Sequence, residues 1–165
     1  MGKIIIVDEN DNPIGVKYRE EVDSQKDIYR CTGIWLTNSQ GEILLAQRKL
    51  TKDKDPGKWG PAVSGTVEEG ETCEINAYKE MEEEIGLTGV ELKLGPKQRF
   101  FSPRNYFAQW FTCQIDKPIE DFVVQEEEVE EIKWVKEDDL RADLRNNPDK
   151  YIPSLPEAIV YFLAI

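Results

Sequence analysis

Hydrophobic and polar residues alternate in short runs along the first third of the chain, which is typical of β-strands joined by turns. The first two runs, Ile4 to Val7 and Ile14 to Tyr18, flank a polar stretch and predict a β-hairpin within residues 1–24. The pattern recurs from Tyr29 to Lys49, where Asn-Ser-Gln-Gly at 38–41 predicts the turn between two more strands. We therefore expect an N-terminal hairpin followed by a larger sheet.

The second half of the chain predicts both strands and helices. Strands are expected at residues 90–102, 105–116 and 130–135, and helices at 137–151 and 154–165, the last apolar enough to pack on the core. Strands without a regular alternation of strand and helix favour a mixed sheet with helices packed on it, the α+β class. No internal repeat or linker divides the chain, so a single domain spanning residues 1–165 is expected.

The middle of the chain combines a long polar stretch with one well-marked helix. Residues 50–71 are rich in glycine, proline and charge and predict a long loop, a feature that often carries function inside compact domains. Thr72 is a suitable N-cap, Glu74 favours the first helical turn, and Gly86 stands where a helix commonly ends. These residues delimit a helix of about thirteen residues.

Charge and composition narrow the possible partners. The chain has 21 basic and 33 acidic residues, a net charge of -12 and no histidine. A field of this sign repels nucleic-acid polymers and anionic membranes, and no basic patch offsets it. No apolar run reaches the ~20 residues of a membrane span, and the N-terminus lacks the marks of a secretion signal. We expect a cytoplasmic protein, either a monomer or a homodimer.

The absence of histidine limits the chemistry. It excludes imidazole ligands and histidine-activated nucleophiles, and three cysteines are too few for a four-cysteine zinc site. Carboxylates, lysines, arginines, hydroxyl groups or a metal must therefore carry any reaction. An acidic protein can still bind a phosphate substrate when bound cations reverse the charge locally.

The predicted helix carries glutamates that oppose its own stability, because like charges four residues apart cost a few tenths of a kcal/mol per pair. At 100° per residue, Glu80, Glu83 and Glu84 lie within about a third of the circumference, whereas Glu82 points toward solvent. A solvated charged face is the ordinary explanation of such a run. The adjacent apolar stripe consists of Tyr78, Met81 and Ile85, and Ala77 lies between this stripe and the carboxylates.

The spacing of these residues resembles the signature of the Nudix hydrolases. Gly65 is followed after five residues by Glu71 and, after seven more, by Lys-Glu-Met-Glu-Glu-Glu-Ile-Gly-Leu from Lys79 to Leu87. One fixed position departs from the family pattern, since Lys79 replaces an arginine. Six such matches have a chance probability of roughly 10⁻⁶ to 10⁻⁷ per starting point. The resemblance makes residues 65–87 the Nudix box, and it extends through the flanking strands from about Ile28.

The resemblance implies a Nudix-type α/β/α sandwich with a mixed sheet and a metal-dependent hydrolase, that is, a pyrophosphatase. Such an enzyme cleaves a diphosphate linkage by water attack, and its usual substrate is a nucleoside diphosphate derivative or a similar small molecule. The implied ligands of Mg²⁺ or Mn²⁺ are Glu80, Glu83, Glu84 and the carbonyl oxygen of Gly65, and hard carboxylate oxygens suit these ions. A divalent ion among the glutamates would also offset their repulsion.

Further roles follow from the same resemblance. Glu80 and Glu83 are candidate catalytic residues, and the acidic loop 125–131 is where many relatives place another glutamate as a base or ligand, here Glu127 or Glu128. A solvated acidic run is the alternative for most of that loop. The residues expected to support the box are Glu71, Lys79 and Gly86.

Substrate contacts are expected from basic and aromatic residues. Arg48 and Lys58, near the box in sequence, are the preferred phosphate-binding candidates, ahead of Arg30, Lys49, Arg99 and Arg104. Several aromatic rings are candidates for stacking on a base, although rings at alternate strand positions more often belong to a core. These rings are Trp59, Phe100, Phe101, Tyr106, Phe107, Trp110 and Phe111.

Three alternatives stand beside a hydrolase. The segment from Val7 to Val22 resembles the opening of isopentenyl diphosphate isomerase and of hydrolases similar to it. That isomerase has Cys-Gly-His at the entry to the box, whereas this chain has Ser64, Gly65 and Thr66 and no histidine, so we expect its chemistry to be absent. A non-catalytic Nudix-fold binding module would often lack box glutamates that this chain retains. A simple divalent-ion binder would bind ions without turnover.

Overall fold

The computed structural model describes residues 2–163. Within this range the strands are β1 (Lys3–Val7), β2 (Pro13–Tyr18), β3 (Ile28–Thr37), β4 (Ile43–Arg48), β5 (Trp59–Pro61), β6 (Val63–Thr66), β7 (Lys93–Phe100), β8 (Tyr106–Gln114) and β9 (Val129–Val135). The helices are α1 (Cys73–Ile85), α2 (Glu137–Asn146) and α3 (Leu155–Ala158). Short 3₁₀ turns occur at Arg19–Glu21, Ile119–Asp121, Pro148–Lys150 and Ile159–Tyr161. No helix in this range is long and apolar enough to cross a membrane.

All nine strands of the described residues form one mixed sheet around β3. On one side β3 runs parallel to β8 from Tyr29 to Thr37, and β7 pairs antiparallel with β8. On the other side β3 pairs antiparallel with β1 at its start, with β6 along its middle and with β4 at its end. β2 extends the sheet beyond β1, and β4 also pairs with β5 and β9. The predicted mixed sheet is confirmed.

Helices cover both faces of this sheet because β3 and β4 send alternate residues to opposite sides. Ile34 and Leu44 pack in a core cluster with Met81 of α1. Trp35 and Leu45 pack on the other face with residues of α2 and α3. The predicted α/β/α sandwich is therefore confirmed, and the position of α1 against the sheet fixes where its glutamates lie.

The predicted N-terminal hairpin is also confirmed. β1 and β2 pair antiparallel, and β1 joins the sheet through Ile6 and Val7. Ile4 and Ile6 form a third core cluster with Tyr29, while most residues of β2, the outer strand, are exposed. The hairpin therefore lies beside the start of β3, next to the residues that lead into the site.

The prediction of one continuous loop at residues 50–71 was wrong, because β5 and β6 lie within it. Each is only three or four residues long and is interrupted by glycine or proline, so neither shows the alternation that marks a strand. Their pairing partners, β4 and β3, lie far away in sequence. Long-range pairing, rather than local pattern, makes these residues strands.

The two C-terminal helices are shorter than predicted. α2 ends at Asn146 because Pro148 follows, and the residue before a proline disfavours helical backbone. α3 spans four residues and passes into the 3₁₀ turn Ile159–Tyr161. Residues 164–165 of the predicted last helix lie outside the described residues. The expected packing on the core is confirmed, since Leu155, Ala158 and Leu163 are buried.

Candidate active site

α1 begins and ends at the residues that its sequence marks. The Thr72 side chain accepts a hydrogen bond from the backbone N–H of Ile75 at 3.1 Å, which is a standard N-cap. Gly86 ends the helix in the left-handed conformation, with φ of 65°, where glycine carries no Cβ penalty. A Cβ there would also come within 2.8 Å of the Val123 side chain. Both ends of the glutamate helix are thus fixed by local chemistry.

The apolar stripe of α1 differs from the prediction at one position. Met81 and Ile85 are fully buried, as expected, and so is Ala77 beside them. Tyr78 is instead 36% exposed, and its hydroxyl oxygen accepts a hydrogen bond from the backbone N–H of Leu92 at 3.0 Å. Tyr78 lies at the edge of the helix–sheet contact because its hydroxyl group needs a polar partner.

The glutamates of α1 divide as the helical periodicity predicts. Glu80, Glu83 and Glu84 line a cavity of about 650 Å³ together with Gly65, whereas Glu82 lies outside its lining. One carboxylate oxygen of Glu84 accepts a hydrogen bond from the backbone N–H of Ser64 at 3.1 Å. Glu84 and Glu80 therefore lie beside β6, next to Ser64 and Gly65 respectively.

Gly65 allows α1 to approach β6 closely. A Cβ built at this position would come within 2.6 Å of the carboxyl carbon of Glu80 and 2.8 Å of one of its oxygens. β6 cannot shift to make room, since each of its residues pairs with β3, Gly65 opposite Thr32. Glycine thus leaves room for the Glu80 side chain, which a larger residue would displace, and its backbone φ is not in the left-handed region.

Burial changes the acidity of two of these glutamates. Burial raises the pKa of Glu80 to about 7, and the nearby Glu83 charge adds to the rise while Lys79 opposes it. Burial also raises the pKa of Glu84 to about 8, and the Glu80 charge adds to the rise. In the protein without a bound cation, the nearby positive charges do not offset the cost of burying the ionised carboxylates of Glu80 and Glu84. A cation in the cavity would favour them, because an opposite charge stabilises a carboxylate.

The arrangement suits a metal that is completed by other ligands. Within residues 2–163 no three acidic or cysteine side chains are grouped so as to hold a metal by themselves. Glu84 is turned to the Ser64 N–H, and Glu80 lies 3.9 Å from the Lys79 ammonium. Magnesium needs only one or two carboxylates beside waters and substrate phosphates, so half-buried, undercompensated carboxylates fit it without a complete protein cage.

A polar network under the cavity supports the box. The Glu71 carboxylate accepts hydrogen bonds from the Glu68 backbone N–H and the Asn76 side chain, both at 2.9 Å, and lies 2.5 Å from the Lys79 ammonium. These bonds outweigh burial and hold the pKa of Glu71 below its usual value. Lys79 also lies 3.8 Å from Glu68. Glu71 and Lys79 thus tie the start of the box to its helix.

Sequence reasoning missed Asn76. It is fully buried in α1, donates to the Thr66 carbonyl oxygen at 3.1 Å and accepts from the Thr32 hydroxyl group. A buried amide requires such partners. The sequence indicated Asn76 only as a polar residue next to Ala77, on the face of α1 that otherwise packs on the sheet. Asn76 connects α1 to β3, to β6 and to Glu71 through these hydrogen bonds.

The candidate residues outside the box divide between cavity and surface. Arg48 and Glu128 line the cavity, whereas Lys58 and the exposed Glu127 do not. The Glu128 carboxylate pairs with the Lys52 ammonium at 2.6 Å. Of the two basic residues preferred for their proximity to the box in sequence, Arg48 reaches the cavity and Lys58 does not. The further cations of its lining are Arg19, Lys52, Lys54 and Arg104.

Most of the aromatic candidates for base stacking serve the core instead. The buried rings are Trp59, Phe100, Trp110 and Phe111. Phe101 is 68% exposed and stays outside the cavity lining, while Phe107 lies under the Lys97 ammonium and the Arg99 guanidinium. Of the seven, Tyr106 and Trp110 reach the cavity.

The raised pKa values predict how stability depends on pH in the protein without divalent ions. The unfolded chain ionises these glutamates near the ordinary value of 4.5, whereas the folded chain does so near 7 for Glu80 and 8 for Glu84. The folded state thus binds these protons more tightly, and its stability falls as pH rises from about 4.5 to 8. We expect melting in EDTA to show Tm lower by roughly 5 °C at pH 8 than at pH 5.5. An unchanged or higher Tm at pH 8 would contradict this.

Comparison with known proteins agrees with the geometry. Residues 28–155 match the NUDIX domain, and the chain belongs to the Nudix family. It is 32% identical over 158 residues to an uncharacterized Nudix hydrolase of Pseudomonas aeruginosa, which covers 95% of this chain and 90% of that protein. The fold matches the crystal structure of DR0079 from Deinococcus radiodurans with a TM-score of 0.86 at 19% identity, covering 98% and 99% of the two chains.

Two further relatives carry more specific names. A prenyl-diphosphate phosphatase of Methanosarcina mazei is 29% identical over 155 residues, 93% of this chain and 91% of that protein. Isopentenyl-diphosphate Delta-isomerase 2 of Photorhabdus laumondii is 28% identical over 153 residues, 90% and 85% of the two chains. The predicted family and its kinship with the isomerase branch are confirmed, and the chain is a Nudix hydrolase.

Proposed function

We propose that this hydrolase cleaves the diphosphate linkage of a small organic diphosphate by water attack and requires Mg²⁺ or Mn²⁺. The observation that carries the proposal is the convergence of Glu80, Glu83 and Glu84 with Gly65 on one wall of a cavity large enough for a small molecule. A nucleoside diphosphate derivative is the default for the family, and the names of two relatives add prenyl and isopentenyl diphosphates.

The metal would be held by Glu80, Glu83, Glu84 and the Gly65 carbonyl oxygen. When bound, such an ion polarises phosphoryl oxygens and lowers the pKa of water. Asn76 ties β6 to α1 by donating to the Thr66 carbonyl oxygen and to Glu71, and this contact would keep the neighbouring Gly65 carbonyl in position for a metal. This chain departs from the family at Lys79, which keeps the positive charge but not the forked geometry of an arginine.

Residues of β4 and of two loops supply the other groups. Arg48 and Lys52 at the cavity offer positive charge to the phosphates. We assign the acceptance of the water proton to Glu128, since it lines the cavity while Glu127 is exposed. The resting pair between Glu128 and Lys52 keeps this carboxylate in place at the edge of the site. A phosphate group bound by Lys52 would free Glu128 for water.

A pair of neighbouring variants tests the role of Glu128. Glu128→Gln is expected to lower kcat by roughly 10²-fold or more, because general-base catalysis commonly contributes 10²–10⁴. Glu127→Gln removes the same charge one residue away and should keep kcat within about twofold. Steady-state rates at saturating metal and substrate measure both. Equal losses in the two variants, or full activity of Glu128→Gln, would contradict the assignment.

A panel of diphosphates tests the proposed function itself. Release of orthophosphate or nucleoside monophosphate is measured for nucleoside diphosphate derivatives and for alkyl and prenyl diphosphates, with Mg²⁺, with Mn²⁺ and with EDTA. Hydrolysis that depends on the metal is expected for at least one substrate. Isopentenyl diphosphate should give no dimethylallyl product, since Ser64 stands where the isomerase resemblance requires a thiol. Metal binding without turnover of any member would instead support a binding module.

A further inference from the structure

The cavity continues past the glutamates onto an apolar floor. Two neighbouring strands build this floor, because alternate residues of β3 and β8 face the same side and pair in parallel register. β6 lies between this floor and the glutamates. Its Gly65 lies against Glu80 of α1, and the next residue of the strand, Thr66, pairs with Cys31 of the floor. The floor is made of Tyr29, Cys31, Gly33, Tyr106, Ala108 and Trp110.

Apolar side chains from two other segments border the floor. Ile4 and Val22 reach the cavity from the N-terminal hairpin and the residues that follow it. Ile152 and Pro153 reach it from the segment between α2 and α3. The floor is therefore bordered by aliphatic groups on these two sides. The glutamates of the lining belong to α1 and to loops, and its cations belong to loops, to the end of β4 and to the 3₁₀ turn Arg19–Glu21. A ligand that spans both regions would have a charged end and an apolar end.

The floor offers apolar contact rather than a surface for stacking a nucleobase. Tyr106 lies between two rings, stacked with Tyr29 at 5.8 Å and with Phe100 at 4.9 Å, so both of its faces are covered. Trp110 packs over Gly33, where an added Cβ would come within 2.7 Å of the ring, and its indole N–H donates to Gln98 at 2.8 Å. Both faces of Tyr106 and one face each of Tyr29 and Trp110 are thus covered, and the indole donor is already satisfied.

We propose that the organic group of the substrate is a short hydrocarbon chain that lies on this floor, an inference that rests on the proposed function. The substrate is then an alkyl or prenyl diphosphate rather than a nucleoside diphosphate. Water attacks one phosphorus and forms a P–O bond, the bridging P–O bond to the other phosphorus breaks, and Glu128 takes the water proton. The products are the organic monophosphate and orthophosphate.

A series of linear alkyl diphosphates from one to five carbons, with ADP and CDP, tests this inference. Burial of each added methylene on the floor is expected to raise kcat/KM by roughly threefold to fourfold. The five-carbon ester should exceed ADP and CDP by at least tenfold. A flat dependence on chain length, or preferred hydrolysis of a nucleoside diphosphate, would overturn the inference and leave metal-dependent hydrolysis intact. Failure to hydrolyse any member would instead refute the proposed function.

A variant that fills the floor adds an independent test. Ala108→Phe places a ring where the hydrocarbon chain of the substrate would lie. The ratio of kcat/KM between the five-carbon and the one-carbon diphosphate should therefore fall at least fivefold. Leu94→Phe adds a ring at an exposed position of β7 outside the cavity lining and should keep the dependence. An unaltered dependence in folded Ala108→Phe would count against the floor. The series on the unmodified protein decides the question if this variant does not fold.

Discussion

Replacement of Glu84 by glutamine is expected to lower kcat by roughly 10²- to 10³-fold, the usual cost of removing one group that stabilises transition-state charge. Glu84 lies on the cavity wall beside β6, and the resemblance to the family implies that it is a metal ligand. Glutamine keeps the size of the side chain, and its amide oxygen can still accept the Ser64 N–H. The variant therefore removes charge while preserving the local packing.

Stability should move in the opposite direction. Because burial and the Glu80 charge raise the pKa of Glu84 to about 8, its ionised form is unfavourable in the folded protein without metal. Glutamine removes that cost, so Tm in EDTA at pH 8.5 should be equal to or higher than that of the unmodified protein. A variant that lost activity through misfolding would show the reverse.

The same helix provides a matched control for this prediction. Glu82→Gln removes an equal charge from the exposed side of α1, and its activity should stay within about twofold. Thermal melts and steady-state rates of the two variants, measured side by side, separate a local role from a change in net charge. Full activity of Glu84→Gln, or an equal loss in Glu82→Gln, would contradict the assigned role.

Gly65→Ala is expected to have the second-largest effect, a loss of at least about tenfold in kcat/KM, since misplacement of a reacting group by about 1 Å can cost 10²-fold. The new Cβ would come within 2.6 Å of the Glu80 carboxyl carbon, and the paired β6 strand cannot retreat. Glu80 must therefore turn away from the cavity. We also expect a higher metal concentration for half-maximal rate.

A second glycine in a strand serves as the control. Gly15→Ala lies on β2, where an added Cβ meets nothing within 4 Å, so both activity and Tm should change little. Rates across a titration of Mg²⁺ compare the two variants directly. If Gly65→Ala keeps the metal dependence and rate of the unmodified protein, the close approach of β6 and α1 has no role in the site.

The sequence predicted the parts of the site that depend on local chemistry. Thr72 and Gly86 fixed the ends of α1, and the helical period placed Glu82 outside while the other three glutamates shared one side. Residues brought together by the sheet were not predictable in this way. The hydrogen bonds of Asn76 form only when β6 and β3 lie against α1. Whether Glu128 or Glu127 lines the cavity depends on the conformation of the loop before β9.

The aromatic residues show the same limit. Their alternation predicted strands correctly, but it could not tell which face of the sheet each ring would join. Tyr106 reaches the cavity beside Tyr29, with which it pairs in register on the parallel strand β3. The two residues are 77 positions apart in sequence, so no local pattern relates them. Topology therefore decides whether a ring faces substrate or core.

Calorimetric titration with Mn²⁺ tests most directly whether the glutamates hold a divalent ion. The protein is titrated with and without a non-hydrolysable diphosphate analogue, alongside Glu84→Gln and Glu82→Gln. Saturable binding is expected for the unmodified protein and Glu82→Gln, tighter with the analogue, and at least about tenfold weaker for Glu84→Gln. No binding even with the analogue, or equal binding by all three proteins, would contradict a metal site at this helix.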